Sequence, residues 1–408
     1  MLEKQVLRYL ENVRERRPLP LEVSLWDGSG VSLGDDPKVR IRLNGTTAAR
    51  HLMKPTLASL GEAFVEGEID IDGPIDTVIA VAEQLSRQND ESQPLGKLPS
   101  WLTRHSRKSD KKAIEYHYDV SNEFYQVWLD PAMVYSCAYY RDPQDTLEQA
   151  QVNKLDHVCR KLMLQPGETL LDIGCGWGAM AIHAARHYGV RAIGVTLSEN
   201  QFALATERVK AAGLSDRIEI RLQDYRDIPG DGAFDKISSI GMFEHVGLKN
   251  LRAYFNVIHR LLRPGGIALN HGITSSDPDN HSVGLGAGDF IERYVFPDGE
   301  LPHVALAIQE LSAAGLELAD AESLRRHYAQ TLKAWSDTFE ANLPHLIELA
   351  GDRRARIWRV YLAGCSHAFQ QGWINLYQLL AFKPDQQPSG ALSPLPMTRD
   401  YMYGPREG

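Results

Sequence analysis

"ETLLDIGCGWGAMAIHAARHYG", residues 168–189, is the stretch whose reading decides the fold. Leu170, Leu171 and Ile173 form a short apolar run of the kind that fills a strand buried on both faces, and Asp172 stands near its end. Gly174, Gly176 and Gly178 follow, and Met180, Ile182 and Ala185 then begin a helical pattern. Strand, glycine turn and helix in that order let the backbone approach a ligand closely at a helix amino terminus. The glycine triplet alone is weak evidence, because the GxGxxG turn of dinucleotide-binding proteins has a related spacing.

Working outward, apolar β-type runs alternate with helical patterns from about residue 165 to 275. That alternation predicts a Rossmann-like α/β fold with a mainly parallel, doubly wound sheet. "RAIGVTLSENQ" (191–201) ends in Thr196, Leu197 and Ser198, where a nicotinamide enzyme places an acid for the ribose hydroxyls. "RLQDYRD" (221–227) sets Asp224 and Tyr225 at the next strand end, suited to an adenine amino group and a stacking face. "AFDKISSIGMFEHVG" (233–247) reads as a fourth strand opening into a loop, and "LLRPGGIALNHG" (261–272) as a helix stop, a turn and a fifth strand. This order resembles the class I methyltransferases and favours S-adenosylmethionine over a nicotinamide.

The chain has 408 residues, 43% hydrophobic and 24% charged, which suits a folded protein of two or three domains. Its four cysteines, Cys137, Cys159, Cys175 and Cys365, are widely spaced without a CxxC. That pattern indicates neither a zinc cage nor a disulfide framework, and it fits a reducing cytoplasm. A net charge of −9 argues against a nucleic-acid partner, although a local basic patch still acts within a Debye length. The amino terminus reads as an amphipathic helix with Leu2, Val6, Leu10 and Val13 on one side rather than as a secretory signal. No segment approaches the roughly 20 apolar residues that span a bilayer.

Residues 1–90 read as a small α+β domain. Val39, Ile41 and Leu43 alternate with Arg40 and Arg42, and helical patterns near 56–66 and 74–87 flank the strand in "GEIDIDG". Residues 91–112 form a polar linker whose Arg104, Arg107, Lys108, Lys111 and Lys112 are either a solvated face or a contact for anionic headgroups. Residues 113–385 make the catalytic domain with helical substrate-binding insertions, and 386–408 a tail.

The blocks "AIEYHYDVSNEFYQVWLDPAMVYSCAYY", "LDIGCGWG", "GVTLSENQ", "SIGMFEHVG" and "ERYVFPDGELP" together resemble the bacterial cyclopropane-fatty-acyl-phospholipid synthases. With "LRRHYAQTLKAW" and the late helix "IWRVYLAGCSHAFQQGWINLYQ", the resemblance runs from about residue 110 to 385; the first hundred residues resemble the family's lipid-associated amino-terminal domain more loosely. Gly272 in "LNHGIT" is a local departure. The resemblance implies methyl transfer from S-adenosylmethionine to a cis double bond of a phospholipid acyl chain, with closure of a three-membered ring. It implies a homodimer at the inner face of the membrane. It places Tyr135, Ser136, Asp172, Gly174, Gly176, Gly178, Thr196, Leu197, Ser198, Gln201, Asp224 and Tyr225 around the cofactor. Cys137, Glu244, His271, Ile273 and Tyr328 match the positions that hold a bicarbonate ion.

This chemistry explains the residue types. An isolated alkene is a poor nucleophile with no proton to remove beforehand, so activation rests on positioning and desolvation. Attack leaves a carbocation that water would quench, which calls for an apolar pocket with π faces; Tyr139, Tyr140, Tyr294, Phe296 and Trp335 are candidates for its lining. Ring closure needs a base, a role that bicarbonate fills while Glu244, His271 and Tyr328 orient it. Cys137 then reads as a pocket wall beside the anion, ahead of a core residue or a nucleophile. His117 and Asp119 read as capping and turn residues before catalytic ones, and Trp358, Tyr361, Phe369 and Leu376 as helical core or dimer packing. The alternatives are methyl transfer without ring closure, a small-molecule amine methyltransferase, and a lipid-binding protein with a vestigial cofactor fold.

Overall fold

The computed structural model describes residues 2–87, 120–279, 284–296, 299–385 and 393–403. The basic cluster between Arg104 and Lys112, with His117 and Asp119, lies outside them.

The first 87 residues build a four-stranded sheet from β1 (Leu21–Ser24), β2 (Gly30–Ser32), β3 (Val39–Leu43) and β4 (Ile69–Asp72), in the order β2-β1-β3-β4. In β3 the alternation is complete: Val39, Ile41 and Leu43 are buried and the two arginines are exposed. Arg42 reaches Asp70 on β4 at 2.7 Å. Helices Leu2–Arg16, Leu57–Val65 and Ile75–Arg87 close the core, and Thr56 with Ser59 forms a capping box at the second.

The larger unit carries seven strands: β5 (Thr169–Ile173), β6 (Arg191–Thr196), β7 (Ile218–Leu222), β8 (Phe234–Ile240), β9 (Leu262–Ser275), β10 (Glu317–Ser323) and β11 (Ile374–Phe382). Their order is β10-β11-β9-β8-β5-β6-β7, with β11 antiparallel to both neighbours. Leu170 joins the core under helix Ala179–Tyr188, while its neighbour Leu171 joins the core under helix Leu251–Leu261, so both faces of the sheet are covered. β5 pairs with β6 on one side and β8 on the other, which makes it the point where the winding reverses. In such sheets the crevice at the carboxyl ends of these strands receives the ligand.

The late helix is shorter than the sequence suggested. Helix Asp352–Gln371 stops at Gly372, whose φ of 75° is left-handed, and the chain then enters β11. Trp358, Tyr361 and Phe369 therefore share a helix, whereas Leu376 packs from a strand.

Helix Asp352–Gln371 also receives the small domain. Arg353 pairs with Glu66 at 2.7 Å, Arg356 reaches Asp70 at 3.2 Å, and His367 meets Glu83 at 2.6 Å. Helix Ala287–Tyr294 docks on helix Leu57–Val65, where Gly61 faces the Phe290 ring so closely that a Cβ would sit 2.8 Å from it.

Candidate active site

The glycine turn lies at the carboxyl end of β5. Gly174, Gly176 and Gly178 all have positive φ, 76°, 53° and 82°. Space is open beyond the Cα of Gly176, and a Cβ there would meet nothing within 4 Å. That space belongs to a cavity of about 240 Å³ lined by Tyr135, Ser136, Asp172, Gly174, Gly176, Thr196, Leu197, Gln201 and Tyr225.

Three expected residues are not part of this lining. Gly178 begins helix Ala179–Tyr188, and Ser198 caps helix Glu199–Ala211 by accepting from the Gln201 amide at 3.3 Å. Asp224 is gripped by the Arg226 guanidinium, with Nη2 to Oδ2 at 2.7 Å, while Arg226 itself lines the cavity. Thr196 and Gln201 are tied side chain to side chain at 2.8 Å.

Asp172 is buried, accepts from the Ser238 hydroxyl at 2.8 Å, and has its pKa pushed up by burial to about 6. Lys154, another lining residue, donates to the Ser136 hydroxyl at 3.0 Å, and burial pulls its pKa down to about 8. Sequence reasoning missed Lys154. The available signal was its helical phase with Gln151, Leu155, Val158 and Lys161 on helix Leu147–Lys161, a face that is buried throughout.

The stretch "PAMVYSCAYY" is stapled in place, and its Tyr135 and Ser136 border both this cavity and a second one. Asp130 accepts from the amides of Ala132 and Val134 at 2.9 and 2.8 Å, and Gln151 donates to the Ser136 carbonyl at 2.9 Å. The Ala138 amide is spent on Thr331 and the Tyr140 amide on His327, at 3.0 and 3.1 Å. Cys137 is fully buried, its thiol donating to the Ala138 carbonyl at 3.2 Å. Burial drives the thiol pKa far up, which keeps the thiol neutral.

A second cavity, of about 540 Å³, is lined by Cys137, Glu244, His271, Ile273 and Tyr328 together. Tyr135, Ser136, Gly241 and His245 line both cavities, so the two share a wall. Glu244 sits in the short turn after β8. Its Oε1 accepts from the Ile273 amide at 2.7 Å, while Oε2 is buried without a partner among the described residues. Burial raises this carboxyl to about 7. His271, on β9, is 1% exposed; Nδ1 faces Gln378 at 3.1 Å and Nε2 has no partner among the described residues. Gly272, between His271 and Ile273, has a physical reason, since a Cβ there would run into the Phe243 ring.

The rest of the large cavity is mostly apolar, and much of it comes from the small domain: Ile41, Phe64, Ile71, Val78, Ile79, Ala82 and Leu85 face Tyr361, Cys365 and Phe369 of helix Asp352–Gln371. Of the five aromatic residues expected there, Phe296 lines it. Tyr294 and Trp335 pack in the aromatic core, Tyr139 is stacked between His157 and His327 at 4.3 and 4.7 Å, and Tyr140 is buried beside Ala138. His245 was not singled out from the sequence, although it adjoins Glu244 and faces both cavities.

The family model described as mycolic acid cyclopropane synthetase matches residues 105–379, and a domain of unknown function matches 9–92. A protein of Pseudomonas putida named "Probable fatty acid methyltransferase" is 49% identical over 94% of this chain and 96% of its own. The cyclopropane-fatty-acyl-phospholipid synthase of Escherichia coli K12 is 35% identical over 87% of this chain and 91% of its own. The solved structure of mycolic acid cyclopropane synthase CmaA1 complexed with SAH and CTAB aligns with a TM-score of 0.63 and 36% identity, covering 67% of this chain and 98% of that one. With the glycine turn, the reversed β11 and the paired cavities in place, these likenesses carry one conclusion: the chain is a S-adenosylmethionine-dependent methyltransferase that belongs to the cyclopropane synthase family.

Proposed function

We propose that this methyltransferase acts from the membrane surface on cis-unsaturated acyl chains of phospholipids and closes a cyclopropane ring across the double bond. The observation that carries the reading is the shared wall: the cavity at the glycine turn meets a larger, mostly apolar cavity, and among the described residues lining the larger one the buried side-chain polar atoms without a partner belong to Glu244 and His271.

S-adenosylmethionine, when bound at the turn, supplies an electrophilic methyl group. Gly176 leaves room for it, and Gly174, Tyr135, Ser136 and Thr196 border it. The apolar walls from both domains hold the acyl chain, exclude water and bring the alkene to the junction. After the methyl adds to one alkene carbon, the other carries the positive charge; a proton leaves the new methyl and the carbon–carbon bond closes the ring. That proton needs an acceptor. Cys137 is neutral and His271 is held by burial well below the ordinary histidine pKa, so neither is a strong base.

The buried, unpartnered Glu244 Oε2 and His271 Nε2 suit a small oxyanion with both a hydroxyl and acceptor oxygens, which is the chemistry of bicarbonate. Such an ion would supply the base. Glu244 would take its hydroxyl, and His271 Nε2 and the Tyr328 hydroxyl would offer hydrogen bonds to its oxygens, while the Ile273 amide keeps Glu244 aimed. The amide of Cys137, with Ala138 and Tyr140 already engaged, is a further donor at the same wall.

The test is turnover of cis-unsaturated phospholipid vesicles with bicarbonate removed and restored. Wild type should respond to the ion, and Glu244→Gln should lose turnover by about 10² or more while binding the cofactor normally. Near wild-type turnover of that variant, with an unchanged bicarbonate response, contradicts the assignment. The printed name of the Pseudomonas putida relative supports a second reading, methyl transfer to the acyl chain without ring closure.

A further inference from the structure

Strand β11 reads "INLYQLLAF", and its second half is apolar and buried from Leu379 to Phe382. Gln378 stands immediately before that run and is itself fully buried. Antiparallel pairing sets it directly opposite His271 on β9. Its amide nitrogen lies 3.1 Å from His271 Nδ1. An amide nitrogen has only hydrogens to offer, so Nδ1 presents its lone pair, and the single proton of a neutral imidazole sits on Nε2. Burial keeps the ring neutral. Nε2 is the ring nitrogen left without a partner among the described residues, in a side chain that lines the large cavity.

We propose that Gln378 is a positioning residue that fixes His271 as the Nε2–H tautomer, so that a hydrogen-bond donor faces the anion beside Glu244. The inference rests on the reading of His271 as one of the anion's holders, but the tautomer itself does not. With the amide reversed, Oε1 would accept a proton from Nδ1, and the Nε2 lone pair would repel an anion in the same place. One side chain on the reversed strand thus decides whether the histidine attracts or rejects the ion. A polar residue at this register position is the second-strand partner that a ligand-holding histidine needs if its ring is to keep one orientation.

The experiment uses the full chain labelled with ¹⁵N at histidine. Long-range ¹⁵N–¹H correlation near neutral pH reads the tautomer, with the His271 signals identified by their loss in His271→Gln. Wild type should show the Nε2–H pattern. Gln378→Glu, which offers only acceptor oxygens, should move the proton to Nδ1 or protonate both nitrogens, and Gln378→Leu should leave a mixture. The bicarbonate concentration for half-maximal turnover should rise about tenfold in Gln378→Leu, with cofactor affinity unchanged. An Nδ1–H pattern in wild type, or a tautomer that neither variant moves, overturns the proposal, and the wild-type spectrum decides this even where a variant does not fold. A tautomer that obeys Gln378 while turnover ignores bicarbonate upholds the role of Gln378 and brings down the reading of the anion instead.

Discussion

Glu244 has one oxygen engaged by the Ile273 amide and one buried without a partner among the described residues, and that asymmetry has a measurable consequence. Its pKa rises from 4.5 to about 7 because burial penalises the charge. Between those values the native state holds a proton that the unfolded chain has lost, so the group's contribution to stability falls as pH rises through that window. The loss is about 3 kcal/mol at most. Glu244→Gln cannot lose this proton. Without added bicarbonate it should melt above wild type at pH 8, and the gap should shrink towards pH 5. A gap that does not change with pH, followed by calorimetry, would count against a buried, unpaired carboxyl at this position.

At the scale of elements, the strand, glycine turn and helix from Leu170 to Tyr188 were legible because each segment has a local cause: a run of apolar residues, positive φ, then a 3.6-residue period. Sidedness was harder to read. Gly178, Ser198 and Asp224 lie in the segments read from the sequence but are not part of the cavity lining, and a helix start, a cap and an arginine each engage them. Lys154 went unread because a lysine on a helix ordinarily faces water, and the aromatic candidates misled because packing decides which rings meet a cavity. The turn itself yields a prediction. Gly176→Val places a β-branched side chain at φ 53°, a conformation costing roughly 1–2 kcal/mol, and fills the open space beyond the Cα. Cofactor affinity measured by titration calorimetry should fall beyond detection while the fold persists. Unchanged affinity would move the cofactor elsewhere.

At the scale of the whole molecule, the small domain is a wall of the large cavity as well as a neighbour. Helix Ile75–Arg87 supplies Val78, Ile79, Ala82 and Leu85 to the lining, and the pairs Glu66 with Arg353 and Glu83 with His367 hold it against helix Asp352–Gln371. Ala82→Trp should therefore crowd the acyl chain. In competition between long and short cis-unsaturated chains, it should shift the product ratio towards the short chain by roughly tenfold, with cofactor binding unchanged. An unaltered ratio would mean that the chain runs along a different wall. None of the helices among the described residues is long and apolar enough to cross a membrane.

The central claim is that methyl transfer here ends in a ring, and one measurement addresses it directly. Vesicles of cis-unsaturated phospholipid are incubated with the protein, bicarbonate and S-adenosylmethionine carrying a ¹³C methyl group, and the extracted lipid is studied by NMR. A ring and a methylene branch have the same mass, so the carbon's environment must decide. The account predicts that the label appears as a cyclopropane CH₂ with loss of the alkene protons. Label found in a methyl or an exocyclic methylene branch, or absent from the lipid while S-adenosylhomocysteine accumulates, would contradict it.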